Sequence, residues 1–169
     1  MNKLHILIVA VALSAAALVA AIFGGASYAA QQKPSKGALV AVRKTGLGRV
    51  LVDARGHTLY LFDKDKRGMS SCSGACAAYW PPAITTAKPR AGAGVNASRL
   101  GMTRRADGRR QVTYAGHPLY TFIGDKKPGQ TTGEGLTDFG AAWDAVAPNG
   151  RSVEPRDSSS GSSGNGYGW

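Results

Sequence analysis

The chain lacks the short motifs by which common enzyme active sites are identified. It has no phosphate-binding glycine loop, no Gly-x-Ser-x-Gly nucleophile elbow, no His-Glu-x-x-His helix and no pair of Cys-x-x-Cys motifs. The enzyme and zinc-site classes that these motifs define are therefore excluded. We expect no enzymatic activity and predict no catalytic residue, no cofactor and no metal site.

Acidic residues are scarce, with 10 Asp and Glu against 21 Lys and Arg and a formal net charge of +11. This excess favours anionic partners, because long-range electrostatic attraction draws them to the protein. Salt weakens that attraction. Wall polymers, lipid headgroups, lipopolysaccharide and extracellular nucleic acid are candidates, the last without recognition of its sequence. Solubility alone is the alternative explanation of the charge.

A long apolar run occurs once, near the N-terminus. Lys3 precedes apolar residues 6–23 and a segment rich in small residues at 26–30, the order of a secretory signal peptide. We predict cleavage after Ala29 or Ala30, and a location that is secreted or extracytoplasmic, in the periplasm or at the cell surface. The apolar run is also near the lower limit for crossing a bilayer, so an uncleaved anchor is the alternative.

Cysteine occurs twice, as Cys72 and Cys76. A close pair in an exported chain favours a disulfide, because the compartments outside the cell membrane are oxidising. The spacing excludes the Cys-x-x-Cys-His motif of covalent haem attachment and the Cys-x-x-Cys motif of thioredoxin-like proteins. Metal binding is the alternative, since soft thiolates suit copper(I) better than zinc. Further ligands for it would come from His57, His117, Met69 and Met102.

An internal repeat organises the chain. The pattern Gly-His-x-Leu-Tyr-x-Phe-x-x-Asp occupies residues 56–65 and recurs at 116–125, and Trp80 and Trp143 follow the two copies. Short β-branched and aromatic runs between glycine turns predict strands. We therefore predict a mainly β fold with short helical segments, in which two similar β-meander repeats pack into one pseudo-symmetric domain. One repeat is too small to bury its apolar surface, so the aromatic faces of the two should meet.

The recurring Tyr-x-Phe-x-x-Asp resembles the signature of a family of bacterial secreted repeats of unknown function, described as predicted lipoproteins. Similarity extends over about residues 37–148 and includes the Cys72 to Trp80 segment. The resemblance implies an envelope location and a repeat architecture, and it brings no established chemistry. There is no cysteine at the end of the signal segment, so we predict no lipid anchor. The family-motif residues are Tyr60, Phe62, Asp65, Tyr120, Phe122 and Asp125.

Shifts in composition predict the domain boundaries. The Ser/Gly-rich C-terminal segment cannot bury enough apolar surface to order itself. It ends in Tyr167 and Trp169, whose rings are either solvated or able to dock into a partner. The predicted segments are a signal peptide at 1–30, a leader at 31–37, a β domain at 38–150 with repeats at about 38–87 and 95–148, a linker between the repeats at 88–94, and a flexible tail at 151–169.

The aromatic residues of each motif alternate along a strand. Tyr60 and Phe62 are two positions apart and so project from one face, where they suit a core. Asp65 and Asp125 follow their strands, where a carboxylate accepts hydrogen bonds from turn amides or a Tyr hydroxyl. We predict structural roles for these residues, and exposed turn positions for the two motif histidines.

Four arginines bracket a predicted tight turn at 106–108, where Asp-Gly is a strong hairpin signal. Guanidinium groups at a hairpin tip are candidate contacts for phosphate or carboxylate groups. A charged edge that prevents strand aggregation is the alternative. The four are Arg104, Arg105, Arg109 and Arg110.

These patterns favour an exported envelope or secreted protein with a binding or structural role, whose basic surface contacts anionic envelope material. The main alternative is an extracytoplasmic metal- or cofactor-handling protein, related to redox chemistry, that uses the cysteines, histidines and methionines. A hydrolase with an unrecognised site is a third hypothesis.

Overall fold

The computed structural model of the chain describes residues 37–66 and 68–153. The predicted signal peptide, leader residues 31–36 and tail residues 154–169 lie outside the described residues. Within the described ranges, no helix has the length and apolar character that crossing a membrane requires. This part is built mainly from short strands, so the predicted mainly β class is confirmed.

The first repeat begins with a β-hairpin. Its strands pair from Val40↔Asp53 to Thr45↔Gly48, which places a two-residue turn at residues 46–47. A disulfide-linked segment leads into one helical turn, which ends at Trp80 because prolines follow. The elements are β1 (Leu39–Thr45), β2 (Gly48–Asp53), β3 (Tyr60–Phe62), α1 (Ala75–Tyr79) and β4 (Arg90–Ala91).

The second repeat also begins with a hairpin, formed where Asp-Gly predicted one. The strands of this hairpin correspond to β1 and β2, an equivalence that the unlike turn sequences conceal. After a 3-10 turn at Ala97–Arg99, the elements are β5 (Leu100–Arg104), β6 (Arg110–Tyr114), β7 (His117–Pro118), β8 (Leu136–Asp138) and β9 (Ala141–Ala145).

Two segments form strands, one of them against expectation. The predicted linker contains β4, which pairs in parallel with β1 through Leu39↔Arg90 and so adds a third strand to that sheet. The segment 136–143 precedes Trp143 as the helical segment precedes Trp80, but it is not helical. It instead forms the β8–β9 hairpin, because Phe139 and Gly140 both take positive φ angles and close a tight turn.

The two repeats exchange strands. β3 of the first repeat pairs with β9 of the second, with Phe62 opposite Trp143. Reciprocally, residues 79–83 of the first repeat pair with residues 119–123 of the second. Where the two exchanges meet, Tyr60 and Tyr120 donate their backbone N–H groups to each other's carbonyls at 2.8 and 3.0 Å. Each repeat thus completes the backbone hydrogen bonding of the other.

Candidate functional site

The tyrosine of each motif bonds to the aspartate of the other motif. Tyr60 donates its hydroxyl hydrogen to Oδ2 of Asp125 at 2.7 Å, and Tyr120 donates to Oδ2 of Asp65 at 2.6 Å. The second oxygen of each carboxylate accepts a nearby backbone N–H, from Ser71 at 2.7 Å and from residue 132 at 2.9 Å. We call these the crossed Tyr–Asp pairs. The motif is therefore a hydrogen-bonded link between repeats.

The motif phenylalanines and the tryptophan that follows each motif form a continuous stack of four rings. Phe62 stacks on Trp143 at 4.0 Å between centroids, Trp143 on Trp80 at 4.0 Å, and Trp80 on Phe122 at 4.4 Å. Each phenylalanine thus packs against the tryptophan of the other repeat.

The motif tyrosines contact the tryptophans of the stack edge-on. Tyr60 approaches Trp80 in this way, and Tyr120 approaches Trp143. Such pairs add about 0.5–1.5 kcal/mol beyond the area they bury.

The tyrosines of the crossed pairs and Asp125 are buried, whereas Asp65 is half-buried. Both tyrosines have no solvent-exposed surface. Burial raises the pKa of Tyr60 and of Tyr120 well above the ordinary value, and the hydrogen bond to a carboxylate raises each pKa further. Both hydroxyls therefore stay protonated and act as donors. The four side chains thus hold the two repeats together through hydrogen bonds.

We expect the free energy of unfolding to fall as the pH rises above about 10. Tyrosines of the unfolded chain ionise there, whereas Tyr60 and Tyr120 keep their protons in the folded state, so stability is complete below that pH and is lost above it. The slope should reach about 1.4 kcal/mol per pH unit for each tyrosine. Urea denaturation between pH 8 and about 11.5 measures it.

The variant Tyr60→Phe with Tyr120→Phe should be less stable at neutral pH, because it leaves two carboxylates without their hydroxyl donors. It should also lose most of the alkaline slope. The exposed Tyr79→Phe is the control, with the slope retained. An equally steep slope in the double variant would show that other groups cause the alkaline loss.

Cys72 and Cys76 are joined by a disulfide, as predicted. Both residues are buried. By the loop-entropy estimate, so short a loop contributes about 2 kcal/mol. With both sulfurs engaged, the alternative metal-handling function lacks its thiolate ligands. Among the described residues, no three His, Cys, Asp or Glu side chains converge as a metal site would require.

The two motif histidines are partly exposed, and only His57 belongs to a turn, whereas His117 begins β7 directly after one. His57 is 3.5 Å from Asp53, measured from Nδ1 to Oδ2, and so it belongs to the turn that Asp53 organises. His117 lies in β7, opposite Tyr114. Each of these interactions lies within the repeat that carries the histidine.

Arg105 brackets the hairpin tip, but its prediction as an anion contact is wrong. Its side chain is 5% exposed and points inward. It donates hydrogen bonds of 2.6 Å to Ser70 Oγ, Gln111 Oε1 and the carbonyl of Cys72. The physical reason is that the planar guanidinium carries several donors and can bond three buried or half-buried acceptors at once. Arg105 links the disulfide segment to the second repeat.

The other three arginines are exposed around the tip. Arg104 and Arg110 are direct cross-strand partners. Arg109 pairs with Asp107 at 2.7 Å, and this hydrogen bond lowers the pKa of Asp107 to about 2. A net positive charge therefore remains at the tip.

The equivalent hairpin of the first repeat carries a basic pair that the sequence analysis missed. Lys44 and Arg49 are cross-strand partners one position from the turn. Like charges in this arrangement repel and destabilise the hairpin. Aligning the two hairpins as equivalent strands would have revealed the pair, since Lys44 and Arg49 then match Arg104 and Arg110.

The exchanged strands, the crossed pairs and the ring stack define a class of protein, a β domain made of two mutually completing repeats. Residues 41–84 and 101–147, more than half of the chain, match the model of a family described as a secreted repeat of unknown function. The chain belongs to this family, as its motif predicted, and both repeats are matched. No curated protein and no solved structure matches the chain.

Proposed function

We propose that the chain is exported, loses residues 1–30 as a signal peptide, and acts as a binding protein whose two basic hairpins contact phosphate or carboxylate groups of anionic envelope material. The observation that carries this proposal is the like-charged cross-strand pair in each hairpin, Lys44 with Arg49 and Arg104 with Arg110. Membership of a secreted family supports the location.

The distribution of charge supports the proposal. Among the described Lys and Arg residues, Arg105 alone is buried, whereas most described carboxylates are at least partly buried. The crossed pairs occupy two of them, and Asp53 accepts backbone N–H groups of its own turn. Glu134 accepts the N–H of Ala145 at 2.7 Å. Hydrogen bonds within the fold thus engage these acidic groups, and exposed basic side chains outnumber exposed acidic ones among the described residues.

Each basic pair suits an oxyanion. Directly opposite residues of an antiparallel hairpin project from the same face, with Cβ atoms about 4.5–5.5 Å apart. Two cationic side chains at that separation can share one phosphate, which removes their mutual repulsion and accepts charge-assisted hydrogen bonds. Recognition would follow charge and spacing, so several anionic polymers or headgroups fit.

Binding to long-chain polyphosphate tests this proposal. We expect affinity to fall at least about tenfold between low and moderate salt, because exposed charges are screened. The variants Lys44→Gln with Arg49→Gln, and Arg104→Gln with Arg110→Gln, should each weaken binding about fivefold. Isothermal titration calorimetry at two salt concentrations measures both effects.

Lys126→Gln with Lys127→Gln is the matched control, since it removes the same charge from an exposed loop outside the hairpins. It should weaken binding less than either hairpin variant. Binding that resists salt, or that survives loss of all four hairpin charges, would disprove the proposed mechanism. If the control variant weakens binding as much as a hairpin variant, net charge and not the paired hairpin charges would explain the binding.

A further inference from the structure

Three large apolar side chains are exposed on neighbouring segments of the domain surface. Tyr79, Ile123 and Phe139 are 56%, 47% and 41% exposed. They come from the end of α1, the loop after Tyr120 and the β8–β9 turn. The rings of Tyr79 and Phe139 are 6.1 Å apart, and the N–H of Ile123 donates to the carbonyl of Tyr79 at 3.0 Å. We call these three residues the aromatic patch.

Phe139 has an unfavourable backbone conformation. Its φ is 56°, in the left-handed region that side chains other than Gly and Asn rarely adopt. The tight turn that it shares with Gly140 typically carries Asn-Gly. Because the ring is 41% exposed, core packing does not explain a phenylalanine here. A strained backbone under an exposed ring indicates a role outside the fold.

A cationic side chain borders the patch. The Lys64 ammonium donates a hydrogen bond of 3.2 Å to the carbonyl of Phe139. Aromatic and aliphatic side chains beside a lysine match the chemistry of an anionic bilayer surface, where rings lie at headgroup depth and ammonium groups meet phosphates.

The ring geometry favours lipid over a sugar. The planes of Tyr79 and Phe139 are tilted by 54° and present no common flat face for a pyranose ring. A headgroup layer accepts side chains in any orientation, and the gain depends on apolar area removed from water. Ile123 adds aliphatic surface that suits acyl chains.

We propose that the aromatic patch inserts into the headgroup region of a bilayer that contains anionic lipid. The inference deepens the proposed function by naming a lipid surface as the anionic material, and it rests on that function for the attraction that the hairpins supply. The patch contributes an apolar anchor that salt does not weaken, and Lys64 contributes a local charge.

Sedimentation with vesicles of phosphatidylglycerol and phosphatidylcholine tests the inference on the exported protein. Phe139→Asn should lower the partition coefficient about tenfold, since one large apolar side chain is lost. The same variant should melt at an equal or higher temperature, because Asn tolerates the left-handed turn. Phe139→Trp should retain binding. Vesicles of phosphatidylcholine alone should bind more weakly than the mixture.

The outcomes separate this inference from the proposed function. If the wild type binds polyphosphate and ignores both kinds of vesicle, the lipid inference is wrong and the proposed function survives. If it binds neither, the proposed function itself is wrong. If Phe139→Asn loses binding and also melts at a lower temperature, the ring stabilises the fold and the inference that it anchors the protein to lipid is wrong. Patch-dependent binding to an insoluble polysaccharide without vesicle binding would reassign the surface to carbohydrate.

Discussion

Replacing Trp143 by Ala is expected to lower the free energy of unfolding by about 3–5 kcal/mol. The ring is fully buried at the centre of the four-ring stack, in contact with Phe62 on one side and Trp80 on the other. Its removal leaves a cavity where the two repeats meet. Small domains are stable by about 5–15 kcal/mol, so this variant should lose a large part of its stability.

Urea denaturation followed by circular dichroism measures the loss of stability. Tyr79→Ala is the control, because it removes an exposed ring, and its effect should stay below about 1 kcal/mol. A small effect of Trp143→Ala would mean that the stack does not hold the repeats together. A shift confined to a second, separate unfolding transition would mean that the repeats unfold independently.

Dividing the chain between its repeats is expected to abolish folding of each part alone. A fragment of residues 37–94 keeps β3 without its partner β9 and keeps Tyr60 without Asp125. A fragment of residues 95–153 has the reciprocal defects, including Tyr120 without Asp65. Neither fragment can complete its sheets or bury its rings, and below about 60 residues a chain is marginal even with a complete core.

Mixing the two fragments should restore the fold, since every exchanged strand and crossed pair then finds its partner. Circular dichroism and the near-ultraviolet signal of the stacked tryptophans report the recovery. Recovery should depend on fragment concentration, because association replaces a covalent link. Cooperative thermal melting of either fragment alone would show that the exchange is dispensable.

The sequence allowed several features to be predicted because they depend on neighbouring residues. The Asp-Gly turn identified the opening hairpin of the second repeat, and the export pattern with a close cysteine pair identified the disulfide. Motif residues two positions apart could be placed on one strand face. The repeat itself identified the family.

The missed features depend on contacts between distant residues. A period of two shows that Tyr60 and Phe62 share a face, but it does not show which repeat supplies the facing aspartate or tryptophan. Arg105 could not be separated from its neighbours, because its inward turn is set by acceptors 33 and 35 residues away. The turn at Phe139 was missed because phenylalanine is not a residue that predicts positive φ.

The exchange of strands between repeats has a consequence for chains that carry one copy of the motif. Such a chain could form the paired tyrosine strands, the aromatic stack and the two Tyr–Asp bonds only by associating with a second copy of itself about a two-fold axis. Its folding would then require dimerisation and would depend on protein concentration. Joining both copies in one polypeptide makes that association intramolecular, so the fused protein can remain folded at any dilution met outside the cell.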